Sequence, residues 1–479
     1  MDKYKNNIKI SLTILIIMFF LLAGYMGYAL FFYGDRWFSS PYNTRVRMSG
    51  AQPQIIAGDI LDRKNTVLAT TKNGNYTDPK TGEAKQGYYR EYNSKCRYAS
   101  HVVGFHNEYG RAGAEAFHIK YLMGYNNNIF ERIYQKAFLS QERGNDIMLT
   151  IDIQLQQYIS ELLGNRKGSV VLLNPKTGEI LAMVSKPSFD PNNVSNVDGD
   201  TLIDRSIQGL YPPGSILKVV TAASALEHIE DIDSWTYNCT GSLDIDGKKI
   251  SCYDGKAHEE VDLASAMIYS CNGAFAQLGN QIGWKELLET GKKFGFNKNF
   301  LFSDIMVYDS SLNIDKTTSK EELGWTAIGQ AETLVAPFHM AMVAAAVAND
   351  GVIMEPKLLY SVVGRNGRAQ KGVEPKVFSE AMTKESARVI KEMMVRVVSE
   401  GTGRSANVGG VSIGGKTGTA EVKSTKESQT LPHAWFIGFA PTEDPTLAIA
   451  VVVENSGTGG RVAAPIAGKV LRRAHELGY

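Results

Sequence analysis

Cysteine is scarce in this chain: there are four in 479 residues, Cys96, Cys239, Cys252 and Cys271. That is too few for a disulfide scaffold, and no two form a close CxxC pair that reads as a zinc site. An HExxH run is missing, and none of the glycine clusters makes a P-loop or a dinucleotide fingerprint. No metal and no cofactor are therefore expected. An excess of either charge is also lacking, with 51 basic residues against 50 acidic. Nothing here attracts a polyanion, so nucleic acid is not an expected partner.

At 479 residues the chain exceeds one typical core, and two or three domains are expected. Lys3, Lys5 and Lys9 precede an uncharged run from Ile10 to Tyr33, which is long enough to cross a bilayer of about 30 Å at about 1.5 Å per residue. It reads as an uncleaved single-pass anchor: the basic residues put a cytoplasmic tail at 1–9, a transmembrane helix at 10–33, and everything after it outside the cell membrane. Residues 34–145 are polar and rich in tyrosine and glycine, with short β-type runs such as Gln54 to Leu61. They read as a small, strand-rich pedestal, with turns at Asp62-Arg63-Lys64-Asn65 and Thr77-Asp78-Pro79-Lys80-Thr81-Gly82.

From 146 to 479 the elements are regular. Asp146 to Ile151 reads as a strand, and Asp152 caps a helix through Leu163. Ser169 to Asn174 then pairs with Glu179 to Val184 across the turn Pro175-Lys176-Thr177-Gly178. Two more apolar strands, Ala434 to Ala440 and Leu447 to Val453, lie near the end, followed by a helix over 464–476. Helical patterns fill the middle at 215–227, 262–269, 273–282, 284–293, 337–349 and 384–400. Strands at both ends with helices between argue for an α+β domain: an antiparallel sheet whose first and last segments meet, flanked by helices and beside a helical lobe.

Three short stretches carry chemistry. Tyr211-Pro212-Pro213-Gly214 breaks the chain before a helical run, so Ser215 sits in a first helical turn, where unpaired N–H groups stabilise negative charge. Lys218 projects from the same face three residues on, and a serine beside a lysine is a candidate activated nucleophile. Alone, the pair is more often a helix cap and a solvated lysine. Ser270 and Asn272 fall on a loop between two helices, where a hydroxyl that passes a proton stands next to an amide that donates and accepts. In the strand from Val411 to Val422, Lys416 supplies a fixed cation, and Gly418 lets another backbone approach, as a substrate strand pairing there would require.

Together and in order, Ser-x-x-Lys, Ser-x-Asn and Lys-Thr-Gly are the signature set of penicillin-binding proteins and serine β-lactamases. The chain resembles the class B penicillin-binding proteins, the monofunctional D,D-transpeptidases, and is most similar to their smaller Gram-positive members. The likeness extends to Gly58-Asp59-Ile60-Leu61-Asp62-Arg63, Gly110-Arg111-Ala112-Gly113-Ala114-Glu115, Asn174 to Ala182 and Trp435-Phe436-Ile437-Gly438-Phe439. Ala57 departs from the arginine usual there.

This resemblance implies a penicillin-binding, serine β-lactamase-like transpeptidase fold and an acyl-enzyme on Ser215. Lys218 would be the base and Ser270 the proton relay, with Asn272 holding the substrate amide. Lys416 and Thr417 would bind the terminal carboxylate, beside Gly418. The N–H groups of Ser215 and Thr419 would form the oxyanion hole. Expected partners are peptidoglycan stem peptides, β-lactams, the membrane and a membrane-embedded SEDS-type glycan polymerase.

A β-lactamase or a β-lactam sensor is the alternative. The first needs a further general base, and the second an output module for which the nine residues before the span leave no room. Cys239 and Cys252 flank a hairpin-like loop and are open to a disulfide. Cys271 reads as a small buried filler, His258 and His433 as structural residues, and Glu332 as structural rather than as a deacylating base.

Overall fold

The computed structural model describes residues 2–38, 55–77, 82–107, 110–124, 142–364, 369–370, 372, 374–421 and 430–479. Its centre is a five-stranded antiparallel sheet in the order Ile180–Lys186, Gly168–Leu173, Leu447–Val453, His433–Ala440, Gly414–Ala420. The first and last segments of the domain do meet, Val451 opposite Val170 and Ala450 opposite Val171. Apart from the edge strand Gly414–Ala420, these strands are mostly apolar runs because both faces are covered. Val170, Leu172, Phe436, Ile449 and Val451 pack on one side with residues of the helices Ile153–Leu163 and Ala463–Glu476. Val171, Trp435, Ile437, Ala450 and Val452 pack on the other with the helical lobe.

That lobe contains the helices Lys218–His228, Leu263–Tyr269, Asn272–Ile282, Trp284–Phe294, Pro337–Ala348 and Lys384–Ser399, the first starting three residues later than expected and the others within one residue of their expected bounds. Pro337–Ala348 is buried along its whole length, consistent with a sequence apolar all round. The lobe also contains the unexpected helix Lys320–Ala327, although Ser319 and Glu322 form a reciprocal capping box at its start.

The expected strand from Asp146 ends at Leu149 and belongs to a second, six-stranded sheet shared with the pedestal. There it lies between Leu359–Val363 and Ile60–Leu61, followed outward by Val67–Thr77 and Ala84–Tyr92. The Asp62-to-Asn65 turn is present, with Asp62 accepting from the Lys64 and Thr66 amides. Residues 78–81 of the other expected turn lie outside the described residues. The likeness-bearing residues tie pedestal to domain. Asp62 also accepts from Ile153 N, Arg63 reaches Glu179 at 3.1 Å, and Arg63 lies over the ring of the C-terminal Tyr479.

At the N-terminus, Asp2–Phe38 is one helix. Its stretch Lys9–Ala29, with mean hydropathy 2.3, is long and apolar enough to cross a membrane. It fits a single-pass anchor.

Among the described residues of the pedestal is a buried ion pair, Arg90 Nε to Glu115 Oε1 at 2.7 Å, with Tyr92 donating to the same oxygen at 3.2 Å. Arg90 also donates to Gly58 O at 2.8 Å. Removing one partner of such a pair strands the other charge without water. Arg90→Ala is therefore expected to cost about 3–5 kcal/mol in denaturant unfolding, and the double change Arg90→Met with Glu115→Leu markedly less. Equal losses in the two proteins would contradict this reading of the pair.

Candidate active site

Gly214 adopts φ +56°, and a Cβ built on it would lie 2.7 Å from Thr419 O, so glycine is required where the Tyr211-to-Gly214 segment turns into the helix. A 3-10 turn, Gly214–Leu217, leads directly into the α-helix Lys218–His228. Ser215 thus stands half-buried in the first turn, as expected. Two long-range contacts hold the segment: Trp435 Nε1 donates to Pro212 O at 3.0 Å, and Tyr211 OH donates to Glu454 at 2.7 Å. The edge strand Gly414–Ala420 passes against it. A Cβ on Gly418 would meet Pro213 O at 2.9 Å, so this glycine sets how closely strand and serine turn approach.

Lys218 is fully buried one helical turn from Ser215, yet its ammonium is not hydrogen-bonded to that serine. It donates to Ser270 O at 2.8 Å, Ser270 Oγ at 3.2 Å and Asn272 Oδ1 at 2.7 Å, and lies 5.4 Å from the centre of the Phe275 ring. The Ser270 loop makes this convergence possible. The helix Leu263–Tyr269 is capped at its start by Asp262 and ends with Ser270 in the left-handed conformation (φ 59°, ψ 42°), which presents both oxygens to Lys218. Asn272 is braced in turn, its Nδ2 donating to Ser251 O at 2.8 Å.

Lys416 enters from the edge strand, also fully buried, and donates to Ser270 Oγ at 2.9 Å and to Thr417 O at 3.0 Å. Ser270 Oγ is consequently shared by two lysines carried on a helix and a strand far apart in sequence. Thr417 and Thr402 share a hydroxyl–hydroxyl hydrogen bond of 2.7 Å, and Thr419 Oγ1 accepts from Gly459 N at 3.3 Å.

Burial lowers Lys218 from the ordinary 10.5 to about 7. Lys416 is lowered well below its ordinary value, by burial first and by the charge of Lys218 second. Desolvation is thus the leading cause at both lysines.

Other residues singled out in the sequence take different places. Glu332 is exposed, and among the described residues no carboxylate is hydrogen-bonded to Ser215, Lys218 or Ser270. His433 Nδ1 accepts from Asn455 N at 3.1 Å, a structural contact. Cys239 and Cys252 are free thiols with sulfurs 3.6 Å apart, not a disulfide. Thr402, Phe275 and Ser251 support the site without any local pattern that marks them in the sequence.

A serine in a first helical turn beside two buried lysines is the arrangement that a serine acyltransferase with an amine base requires. Residues 168–472 match the family of the penicillin binding protein transpeptidase domain, and the chain belongs to that family. It is 31% identical to the peptidoglycan D,D-transpeptidase PbpA of Mycolicibacterium smegmatis over 96% of both chains. It is also 31% identical to stage V sporulation protein D of Bacillus subtilis, over 78% of this chain and 62% of that one. The penicillin G acyl-enzyme complex of penicillin-binding protein A from Mycobacterium tuberculosis superposes with a TM-score of 0.78 at 29% identity, covering 88% of this chain and 99% of that one.

Gly418 offers a test of the approach between strand and serine turn. Gly418→Ala puts a methyl against Pro213 O and Ile216, and a displacement of about 1 Å at reacting atoms costs on the order of 100-fold in rate. Acylation by a fluorescent penicillin should fall on that scale with little change in melting temperature. Unchanged acylation would mean that the spacing is not critical.

Proposed function

We propose that the protein is a peptidoglycan D,D-transpeptidase that works through an acyl-enzyme on Ser215 and is acylated at the same residue by β-lactams. The observation that carries this reading is the Lys218–Ser270–Lys416 hydrogen-bond hub beside the serine turn. The family membership and the β-lactam acyl-enzymes of similar proteins agree with it.

Ser215 Oγ attacks the carbonyl between the two terminal D-alanines of a stem peptide. Neutral Lys218 takes the hydroxyl proton. The N–H groups of Ser215 and Thr419 hold the oxyanion, each donor contributing about 3 kcal/mol in sites of this kind. Ser270 passes a proton to the leaving amine, D-alanine departs, and an amine of a second stem peptide takes the acyl group.

Among the described residues, the outer side of the edge strand Gly414–Ala420 has no β partner, and it suits pairing by an extended peptide. A substrate carboxylate reaching Lys416 and Thr417 would give the Lys416 ammonium the counter-charge that burial denies it, keeping the cation on Lys416 and Lys218 free to act as a base.

The proposed organisation is a cytoplasmic tail, a membrane span at 10–33, a pedestal at 34–145 and an extracytoplasmic catalytic domain from 146. The three lysines ahead of the span support this orientation. A membrane-embedded glycan polymerase of the SEDS type is the proposed partner, engaged by span and pedestal. Affinity purification of the tagged full chain from cross-linked membranes should recover such a polymerase, and a version lacking the span should not. Recovery of none by either form would reject that partnership.

Acylation kinetics test the chemistry. Because Lys218 acts neutral and burial places it at about 7, the acylation rate should rise as pH passes upward through that value. Ser215→Ala should take no label at any pH. Labelling of Ser215→Ala, or a rate that stays flat to pH 9, would contradict the assignment.

A further inference from the structure

Directly behind the Ser270–Asn272 loop, three of the four cysteines gather with a histidine. Cys239 ends the strand Thr236–Cys239, Cys252 follows the strand Lys248–Ser251, His258 precedes the strand Glu259–Asp262, and Cys271 caps the helix Asn272–Ile282. Cys239 and Cys252 are 13 residues apart, and Cys252 and Cys271 are 19 apart, which is why no compact motif announces them. Their ligating atoms converge on one point: Sγ of Cys239 is 3.6 Å from Sγ of Cys252 and 3.5 Å from Nδ1 of His258, and Sγ of Cys252 is 3.8 Å from Sγ of Cys271. No pair among the four exceeds 4.8 Å.

We propose that Cys239, Cys252, Cys271 and His258 bind a tetrahedral zinc ion that pins the Ser270–Asn272 loop to the small β subdomain over 236–262. The spacing is that of a coordination shell. Zinc bonds of about 2.3 Å to sulfur and about 2.0–2.1 Å to nitrogen give tetrahedral edges of about 3.8 Å between sulfurs and about 3.5 Å from sulfur to nitrogen. Three of the six edges already have these lengths. A disulfide between any two of the thiols would leave the third and the imidazole aimed at the same point without a purpose.

The surroundings suit metal-bound thiolates. The amide of Ala274 points at Cys271 Sγ at 3.5 Å, and the amides of Asn272 and Gly273 point at Cys252 Sγ. Backbone hydrogen bonds from His258 N to Cys239 O (3.2 Å), Cys252 N to Gly241 O (2.9 Å) and Cys271 N to Ala266 O (2.9 Å) fix the ligand-bearing chain. The His258 ring is stacked on Tyr269, at 6.1 Å and 11°. Cys96, buried alone in the pedestal, shows what an ordinary filler cysteine looks like here.

The structural need is also visible. The 236–262 segment has only two two-stranded sheets, Thr236–Cys239 with Glu259–Asp262 and Ser242–Ile245 with Lys248–Ser251. Such small pieces need a staple. When zinc binds, the three thiols lose their protons to water and the imidazole coordinates through neutral Nδ1, so no oxidant or reductant is involved. Cys271 lies between Ser270 and Asn272, both of which hold Lys218, so the ion positions the catalytic loop without touching substrate.

The test uses the reduced full chain, purified in detergent without chelator. Elemental analysis should find stoichiometric zinc, and Cys239→Ser and His258→Ala should each lose it. If those variants do not fold, replacement of zinc by Co2+ in the unaltered protein decides: a tetrahedral thiolate site gives intense sulfur-to-cobalt charge-transfer bands. A strong chelator should slow acylation of Ser215, with recovery on adding Zn2+ but not Mg2+. Zinc far below stoichiometric together with absent charge-transfer bands would overturn the proposal. So would full zinc retention in both variants, or a disulfide among the three thiols found by mass spectrometry. Metal content does not depend on the reaction catalysed, so this result stands or falls apart from the transpeptidase assignment.

Discussion

Two buried ammonium groups, Lys218 and Lys416, share one hydroxyl oxygen, Ser270 Oγ, at 3.2 and 2.9 Å. Two full positive charges enclosed this closely repel strongly, and neither is solvated, so the arrangement holds only if the pair gives up a proton. Much of the catalytic domain works to impose it. The sheet fixes Lys416 on its edge strand, the helical lobe buries Lys218 against Phe275, and the left-handed Ser270 turn brings a third element between them. An uncharged amine near neutral pH is then a consequence of packing.

The serine turn is held separately from this hub. Its restraints come from Trp435 and Glu454, on the central sheet and the residue that follows it, and from the close approach of Gly214 and Gly418 to backbone. Ser215 and Lys218 therefore sit on one continuous helical segment but are positioned by different partners: the sheet for Ser215, the Ser270–Asn272 loop for Lys218. A ligand paired to the edge strand would act on both, because that strand carries Lys416 and abuts the serine turn.

The chemistry-bearing residues were legible in the sequence because each motif is short and the three occur in a fixed order. Most of the central sheet was legible because four of its five strands are largely apolar runs, and the helix bounds because breakers and caps flank them. What escaped had a physical reason in each case. Lys218 looked like a partner of Ser215 because local helical spacing is all a sequence displays, whereas its hydrogen bonds come from residues more than fifty positions away. The strand Asp146–Leu149 looked like the start of the catalytic domain, yet it pairs with the pedestal strand Ile60–Leu61, a contact that no periodicity encodes. The cysteine–histidine cluster was invisible because its members are spread over three strand ends and a helix cap.

The central claim is that burial, not a neighbouring base, makes Lys218 an amine at neutral pH. Carbon-13 labelling of the lysine side chains, with the Lys218 signal assigned by its loss in Lys218→Arg, allows its titration to be followed by NMR. The account predicts a midpoint at about 7. A midpoint at the ordinary lysine value of 10.5 would contradict it.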